Sequence, residues 1–490
     1  MNRCAGTILA VDARAGGGAF ERDGELAFAG VDELRQALDE RRVTVQEIVT
    51  AALARAERLN PALNALVALR GDRASAEAAA ADRLEPDKRG PLHGVPFTVK
   101  DVTETLDLPT TYGSRAFEGF QTDFEAVVVW KLRAAGAILI GKTHTPEFAC
   151  EPAARSELFG EALSPWAQDR TPGGSSGGAA AGLASGMFPL AQGTDAGGSI
   201  RIPASCCGIV GCKPSRGRVS FAPASYMAWG GLLHSGPMAR SVRDAALMLD
   251  VMGGTDLITL ASPDAGPGCR AACDVPLAPT RAAYTSELPD GQLDPDVAAA
   301  FARGLAVLGE LGVELSEATP DVSRVPTLFA PIAEVAFAGI SAELSDDQLA
   351  VIGTDSLQLM RRGWRINAAD YYAALEAAHR ESARIRRFWE RFDVLITPTV
   401  PWVPPLRAAF PASEEYDAKW AEYGIWEHFT APWNLTGQPA FSLPCPTLAA
   451  DELPAGIQLV GRVGGEAALF TLASAYEAAA PWTARRPAVC

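Results

Sequence analysis

Two glycine turns set around a hydroxyl, Gly173-Gly174-Ser175-Ser176-Gly177-Gly178 and Gly193-Thr194-Asp195-Ala196-Gly197-Gly198-Ser199-Ile200-Arg201, stand within the stretch Thr171 to Arg218 and decide how the chain is read. Glycines beside a hydroxyl let the backbone bend tightly, approach a substrate, and turn N–H groups toward a developing oxyanion. The first hexapeptide alone has the composition of a flexible linker. A linker, however, is not followed by an Ala-rich helical run, here Ala179–Ala184, and then by a second glycine turn.

Working outward, Thr44-Val45-Gln46-Glu47 fits a capping box, and Ile48, Val49, Ala52, Leu53, Ala56 and Leu59 recur at helical spacing until Asn60-Pro61, where the helix is predicted to stop. A second Ala-rich helix is predicted over 72–83. Short apolar runs follow, Val95–Val99 and then Val127–Leu132 leading into Ala137–Gly141. Helix followed by short apolar strand is the mark of a sheet covered by helices. The expected fold class is therefore α/β, a large mixed, mostly parallel β-sheet sandwiched between α-helices. Residues 1–25 read as a flexible N-terminal arm, jointed at Gly16-Gly17-Gly18, and residues 26–490 as a single domain with a variable insertion at about 265–435. Helices are predicted near 240–252, 295–311, 345–362, 368–391 and 466–479, and strands at 393–398, 440–443 and 456–460. Eight of the aromatic residues fall from Trp402 to Trp433.

The chain has 490 residues, 48% hydrophobic and 21% charged, which is globular composition. Its net charge of −16 argues against nucleic acid as a partner. Nine cysteines are too few for a disulfide scaffold, and reduced cytoplasmic thiols are the default reading. No export signal is expected from residues 1–18, and the two long uncharged stretches are broken by glycine and proline, so no membrane span is expected.

Lysine is scarce: six of 43 basic residues, the rest being arginine. A retained lysine can do what arginine cannot, which is to lose its proton in a buried site. Lys100 is singled out because it ends the apolar run Val95–Val99, where desolvation lowers an amine pKa and makes a general base. Lys142 and Lys213 are read as capping or pairing residues.

Competing chemistries fit less well. Gly173-Gly174-Ser175-Ser176-Gly177 also matches a nucleophile elbow, with His234, His379 and His428 downstream. His379 nevertheless lies in a helical run and His428 in the aromatic segment, neither at a strand end. No Lys-Ser or Lys-Thr closes the glycine loop as phosphate binding requires. His144 with Glu147, and Cys206 with Cys212, lack partners at metal spacing. No cofactor and no metal are expected.

Taken together, the residues resemble the amidase signature family. The likeness is carried by Leu92-His93-Gly94-Val95-Pro96-Phe97-Thr98-Val99-Lys100-Asp101, by Gly141-Lys142-Thr143-His144-Thr145-Pro146-Glu147-Phe148, and without a break by Thr171 to Arg218. Weaker similarity at 236–242 and 456–461 extends it over about 26–480. The resemblance implies a Ser–cis-Ser–Lys triad falling on Ser199, Ser175 and Lys100, with a cis Gly174–Ser175 peptide. It implies an oxyanion hole from the N–H groups of Ala196, Gly197, Gly198 and Ser199, a supporting hydrogen bond from Ser176 to the lysine, and Asp195 paired with Arg201 to fix the loop. It also implies hydrolysis of a small carboxamide, linear or cyclic, through an acyl-enzyme on Ser199. The glutamyl-tRNA amidotransferase A-type glutaminase subunit shares the core and is the alternative. The segment Val219–Trp229 departs from what that subunit leads one to expect. Tyr226, Trp229, Trp426 and Trp433 are expected either to wall an acyl or aryl pocket or to serve as core packing. The expected partner is a small-molecule amide, and a homodimer is the candidate assembly.

Overall fold

The computed structural model describes residues 24–225, 228–254, 268–289, 291–411, 415–447 and 452–490, so most of the N-terminal arm and Tyr226 lie outside the described residues. Eleven strands form one sheet, in the spatial order Leu66–Leu69, Ile138–Thr143, Pro96–Lys100, Leu190–Asp195, His234–Ala239, Val210–Lys213, Ala440–Pro444, Gly456–Val460, Val394–Pro398, Arg281–Tyr284 and Glu314–Glu317. The sheet is mixed, as expected, but parallel pairing is confined to its two flanks, and the run from Leu190–Asp195 through Val394–Pro398 is antiparallel throughout. The expectation of a mostly parallel sheet is corrected by the connections. Where a helix crosses over, as Val127–Ala134 does between Pro96–Lys100 and Ile138–Thr143, the strands are parallel. Where the described residues of a connection hold no α-helix, as from Val210–Lys213 to His234–Ala239, the strands are antiparallel.

Strand alternation sorts side chains to the two faces. Phe97, Val99, Leu139, Val394 and Ile396 enter a core built with the helices Val127–Ala134, Val242–Met252 and Glu466–Ala479. Ile138, Ile140, Ala191 and Met238 enter another with the helices Val31–Asp39, Val45–Leu63 and Gly177–Ala184. Lys100 ends its strand with the opposite parity to Phe97 and Val99, so it faces away from the first core.

The capping box at Thr44 forms, with Glu47 N–H donating to the Thr44 hydroxyl and Thr44 N–H to the Glu47 carboxylate. Pro61 does not stop that helix, which continues to Leu63 and ends at Asn64 in the left-handed region. A proline so near the C-terminus removes little of the helix hydrogen bonding, and Asn60 turns the chain by exchanging hydrogen bonds with the Leu66 backbone. The predicted helix at 345–362 is two, Asp346–Leu349 and Thr354–Gly363, and Val325–Ser341 is a helix despite Pro326 and Pro331. Among the described residues no helix is long and apolar enough to cross a membrane.

Candidate active site

Lys100 and Ser175 are fully buried, whereas Ser199 keeps 7% of its surface exposed, so the pair stands behind the one hydroxyl that a substrate can reach. Lys100 Nζ lies 2.5 Å from Ser175 Oγ and 3.0 Å from Thr194 Oγ1. Burial pushes its amine well below the ordinary lysine range, against the opposing pull of the Asp195 charge. Other lysines are buried too, but in different company. Lys142 Nζ donates to the Thr103 carbonyl and Thr110 hydroxyl and sits 3.5 Å from the Asp101 carboxylate; Lys213 Nζ donates to the carbonyls of Pro214 and Gln438. Burial lowers both of these amines too, so the partners are what set Lys100 apart. Of the three, only Lys100 Nζ has hydroxyls as its sole partners among the described residues, and a hydroxyl can pass a proton to an amine.

The Gly174–Ser175 peptide is cis. It places Ser175 at the foot of the helix Gly177–Ala184, and Ser176 N–H donates to the Ser199 carbonyl at 3.1 Å, which ties the two glycine turns together. Ser176 was expected to support the lysine directly. Its hydroxyl donates instead to the Thr194 carbonyl, and Thr194 supplies the second hydroxyl at Nζ. Sequence reasoning missed Thr194, although its place four residues before Gly198, inside the glycine turn, was the available signal.

The second turn is held from below. Arg201 spends all five of its N–H donors: Nε and Nη2 on the Asp195 carboxylate at 2.9 and 2.7 Å, Nη2 also on Asn434 Oδ1, and Nη1 on the Thr430 carbonyl and Gln458 Oε1. Both members of the ion pair are fully buried. Burial raises the Asp195 carboxyl, and the charge and hydrogen bonds of Arg201 outweigh it to hold it well below the usual carboxylate range. The Ile200 N–H also donates to Asp195, so the carboxylate anchors the turn on both sides of Ser199.

Glycine is needed at two positions of this turn for lack of space. A Cβ on Gly197 would lie 2.4 Å from the Glu427 carboxylate, and one on Gly198, whose φ is +149°, would lie 2.5 Å from Thr430 Oγ1. The segment Glu427–Asn434 therefore presses against the backbone whose N–H groups are expected to receive the oxyanion. The Glu427 carboxyl has no hydrogen-bond partner among the described residues, and burial, with the nearby Asp195 charge, pushes it up to about 8.

The aromatics divide. Trp426 and Trp433, expected as pocket wall or core, are core: Trp426 packs with Ile202, Cys206, Phe410 and Tyr423, and Trp433 with Leu232, Trp389 and Leu435. So large an apolar surface is stabilised most by complete burial. Trp229 is half-buried, edge-on to Phe337, with φ at +51°.

A family model described as Amidase matches residues 47–470. The chain is 38% identical over 474 residues to a Mycobacterium tuberculosis (strain ATCC 25618 / H37Rv) protein whose name, AmiB2, is that of an amidase, covering 95% of this chain and 99% of that one. It is 32% identical to an acylamidase of Rhodococcus erythropolis over 94% of this chain and 98% of the relative. The solved structure of a 6-aminohexanoate cyclic dimer hydrolase complexed with substrate superposes with a TM-score of 0.86 at 30% identity, covering 94% of this chain and 99% of that one. A match that runs through both glycine turns and the buried lysine, and nearly the full length of each relative, leaves one assignment: the chain belongs to the amidase family, enzymes that hydrolyse carbon–nitrogen bonds.

Proposed function

We propose that the chain hydrolyses a small, rather apolar carboxamide, linear or cyclic, through an acyl-enzyme on Ser199, with Ser175 and Lys100 as proton relay and no cofactor. The observation that carries this reading is a buried amine whose nearest partners are two hydroxyls. Neutral Lys100 takes the proton of Ser175, Ser175 takes that of Ser199, and Ser199 Oγ attacks the amide carbon. The carbonyl oxygen becomes an oxyanion received by the N–H groups of Ala196, Gly197, Gly198 and Ser199. Collapse breaks the C–N bond, and the proton held on Lys100 returns through Ser175 to the departing amine. Water then repeats the sequence to release the acid. Trp229 is half-buried and edge-on to Phe337, and this reading assigns that apolar pair to the acyl group. Reduced, buried cysteines support a cytoplasmic setting.

The test is turnover of purified protein on a panel of aliphatic, aryl, peptidyl and cyclic amides with glutamine included. The reading expects release of amine from the apolar members, abolished by Ser199→Ala. Ammonia release from glutamine alone would move the assignment to the amidotransferase subunit.

A further inference from the structure

Thr430 is fully buried, and its single hydroxyl proton has two acceptors in reach: the Gly197 carbonyl at 2.5 Å and the Glu427 carbonyl at 3.1 Å. The shorter contact takes it. That carbonyl belongs to the same peptide unit as the Gly198 N–H, one of the groups assigned to the oxyanion. A peptide whose carbonyl accepts a strong hydrogen bond is polarised along its length, and its N–H becomes a better donor. The arrangement continues behind Thr430, whose own carbonyl accepts from Arg201 Nη1 at 2.8 Å, while Arg201 is fixed by Asp195, Asn434 and Gln458. Gly198 has no room for a Cβ beside Thr430 Oγ1, so the hydroxyl and the peptide are held in register by packing as well as by the hydrogen bond.

We propose that Thr430 is a positioning residue of the reaction, which through the Gly197 carbonyl both orients and polarises the Gly198 N–H toward the oxyanion. The proposal rests on the reading of Gly198 as part of that hole. It makes the Asp195–Arg201 pair the base of a hydrogen-bonded chain running Asp195, Arg201, Thr430, Gly197–Gly198, which ends at the reacting oxygen. A merely structural threonine, there to satisfy a buried carbonyl, would affect folding and not the chemical step.

The full-length protein and its Thr430→Val, Thr430→Ala and Thr430→Ser variants are compared by the rate of Ser199 phosphonylation with an alkyl fluorophosphonate, and by kcat and KM on p-nitrophenyl acetate. Both reactions develop negative charge on an oxygen in the hole. Thr430→Val is expected to slow phosphonylation and kcat together by about 10- to 100-fold, less than the full loss of one donor, with KM moved by less than about 3-fold. Thr430→Ser keeps the hydroxyl and is expected to stay within about 3-fold of the parent on both readouts. Should the valine variant not fold, the alanine variant carries the same comparison against serine. Parental kcat in Thr430→Val, a loss confined to KM, or equal damage in Thr430→Ser overturns the proposal while leaving the Ser199 reading intact. Parental enzyme that is not labelled at Ser199 overturns that reading and this proposal with it.

Discussion

At the scale of single residues, the account turns on what surrounds each buried amine. Lys142 and Lys213 are as enclosed as Lys100, but their amines meet carbonyls and, at Lys142, one hydroxyl and a carboxylate, whereas Lys100 meets hydroxyls alone. Lys100→Arg is therefore expected to lower kcat by about 10²–10⁴-fold, because a guanidinium does not surrender its proton; steady-state turnover on the best amide of the panel checks it. Burial lowers the Lys100 amine, and only its neutral form accepts the serine proton, so kcat/KM rises with pH through that lowered value and levels off above it. A profile that instead declines from acid to neutral pH would contradict the base assignment. Glu427 gives a separate signal in stability. Folded protein keeps this carboxyl neutral to about pH 8, whereas the unfolded chain ionises it near 4.5, so its contribution to stability falls as pH rises between the two. Thermal melts of Glu427→Gln at pH 5 and pH 9 are expected to differ by less than those of the parent.

At the scale of elements, the site is where two glycine turns and the segment Glu427–Asn434 meet, and this explains what could be read in advance. Lys100, Ser175 and Ser199 were legible because each stands in a local pattern: an apolar strand ending in a lysine, and serines inside glycine turns. Thr430, Asn434 and Gln458 were not, because nothing near them in the chain departs from ordinary sequence, and their value comes from contacts with Arg201 across more than 200 residues. The strand Leu190–Asp195 was hidden for another reason: its glycine and small residues carry little β-propensity, and a neighbour on each side supplies the pairing. The helix Val325–Ser341 was masked by its two prolines, and the antiparallel centre of the sheet by connections whose direction periodicity does not report. The element-scale prediction follows from the ion pair that holds the second turn. Arg201→Ala leaves the Asp195 carboxylate buried without its cation, a change that costs about 3–5 kcal/mol. A large fall in melting temperature is expected, with an activity loss greater than Lys142→Ala produces. An unchanged melting temperature would show that the turn stands without the pair.

At the scale of the whole molecule, one eleven-stranded sheet carries the lysine on one strand and both serines on the connections into and out of its neighbour. The proposed relay thus lies on buried chain, with Lys100 and Ser175 at 0% exposure and Ser199 at 7%. Cys206, Cys207 and Cys212 share that enclosure, and burial raises all three thiols. Iodoacetamide is expected to leave them unmodified in the native protein and to label them after unfolding, read by peptide mass spectrometry. Rapid native labelling would mean that this region opens readily. The central claim is tested most directly by quenching turnover of p-nitrophenyl acetate in acid and mapping the acetyl group by peptide mass spectrometry. The account predicts a mass increase on the peptide holding Ser199, absent in Ser199→Ala and strongly reduced in Lys100→Arg; acetyl on a different residue, or none at any quench time while product still forms, would contradict it.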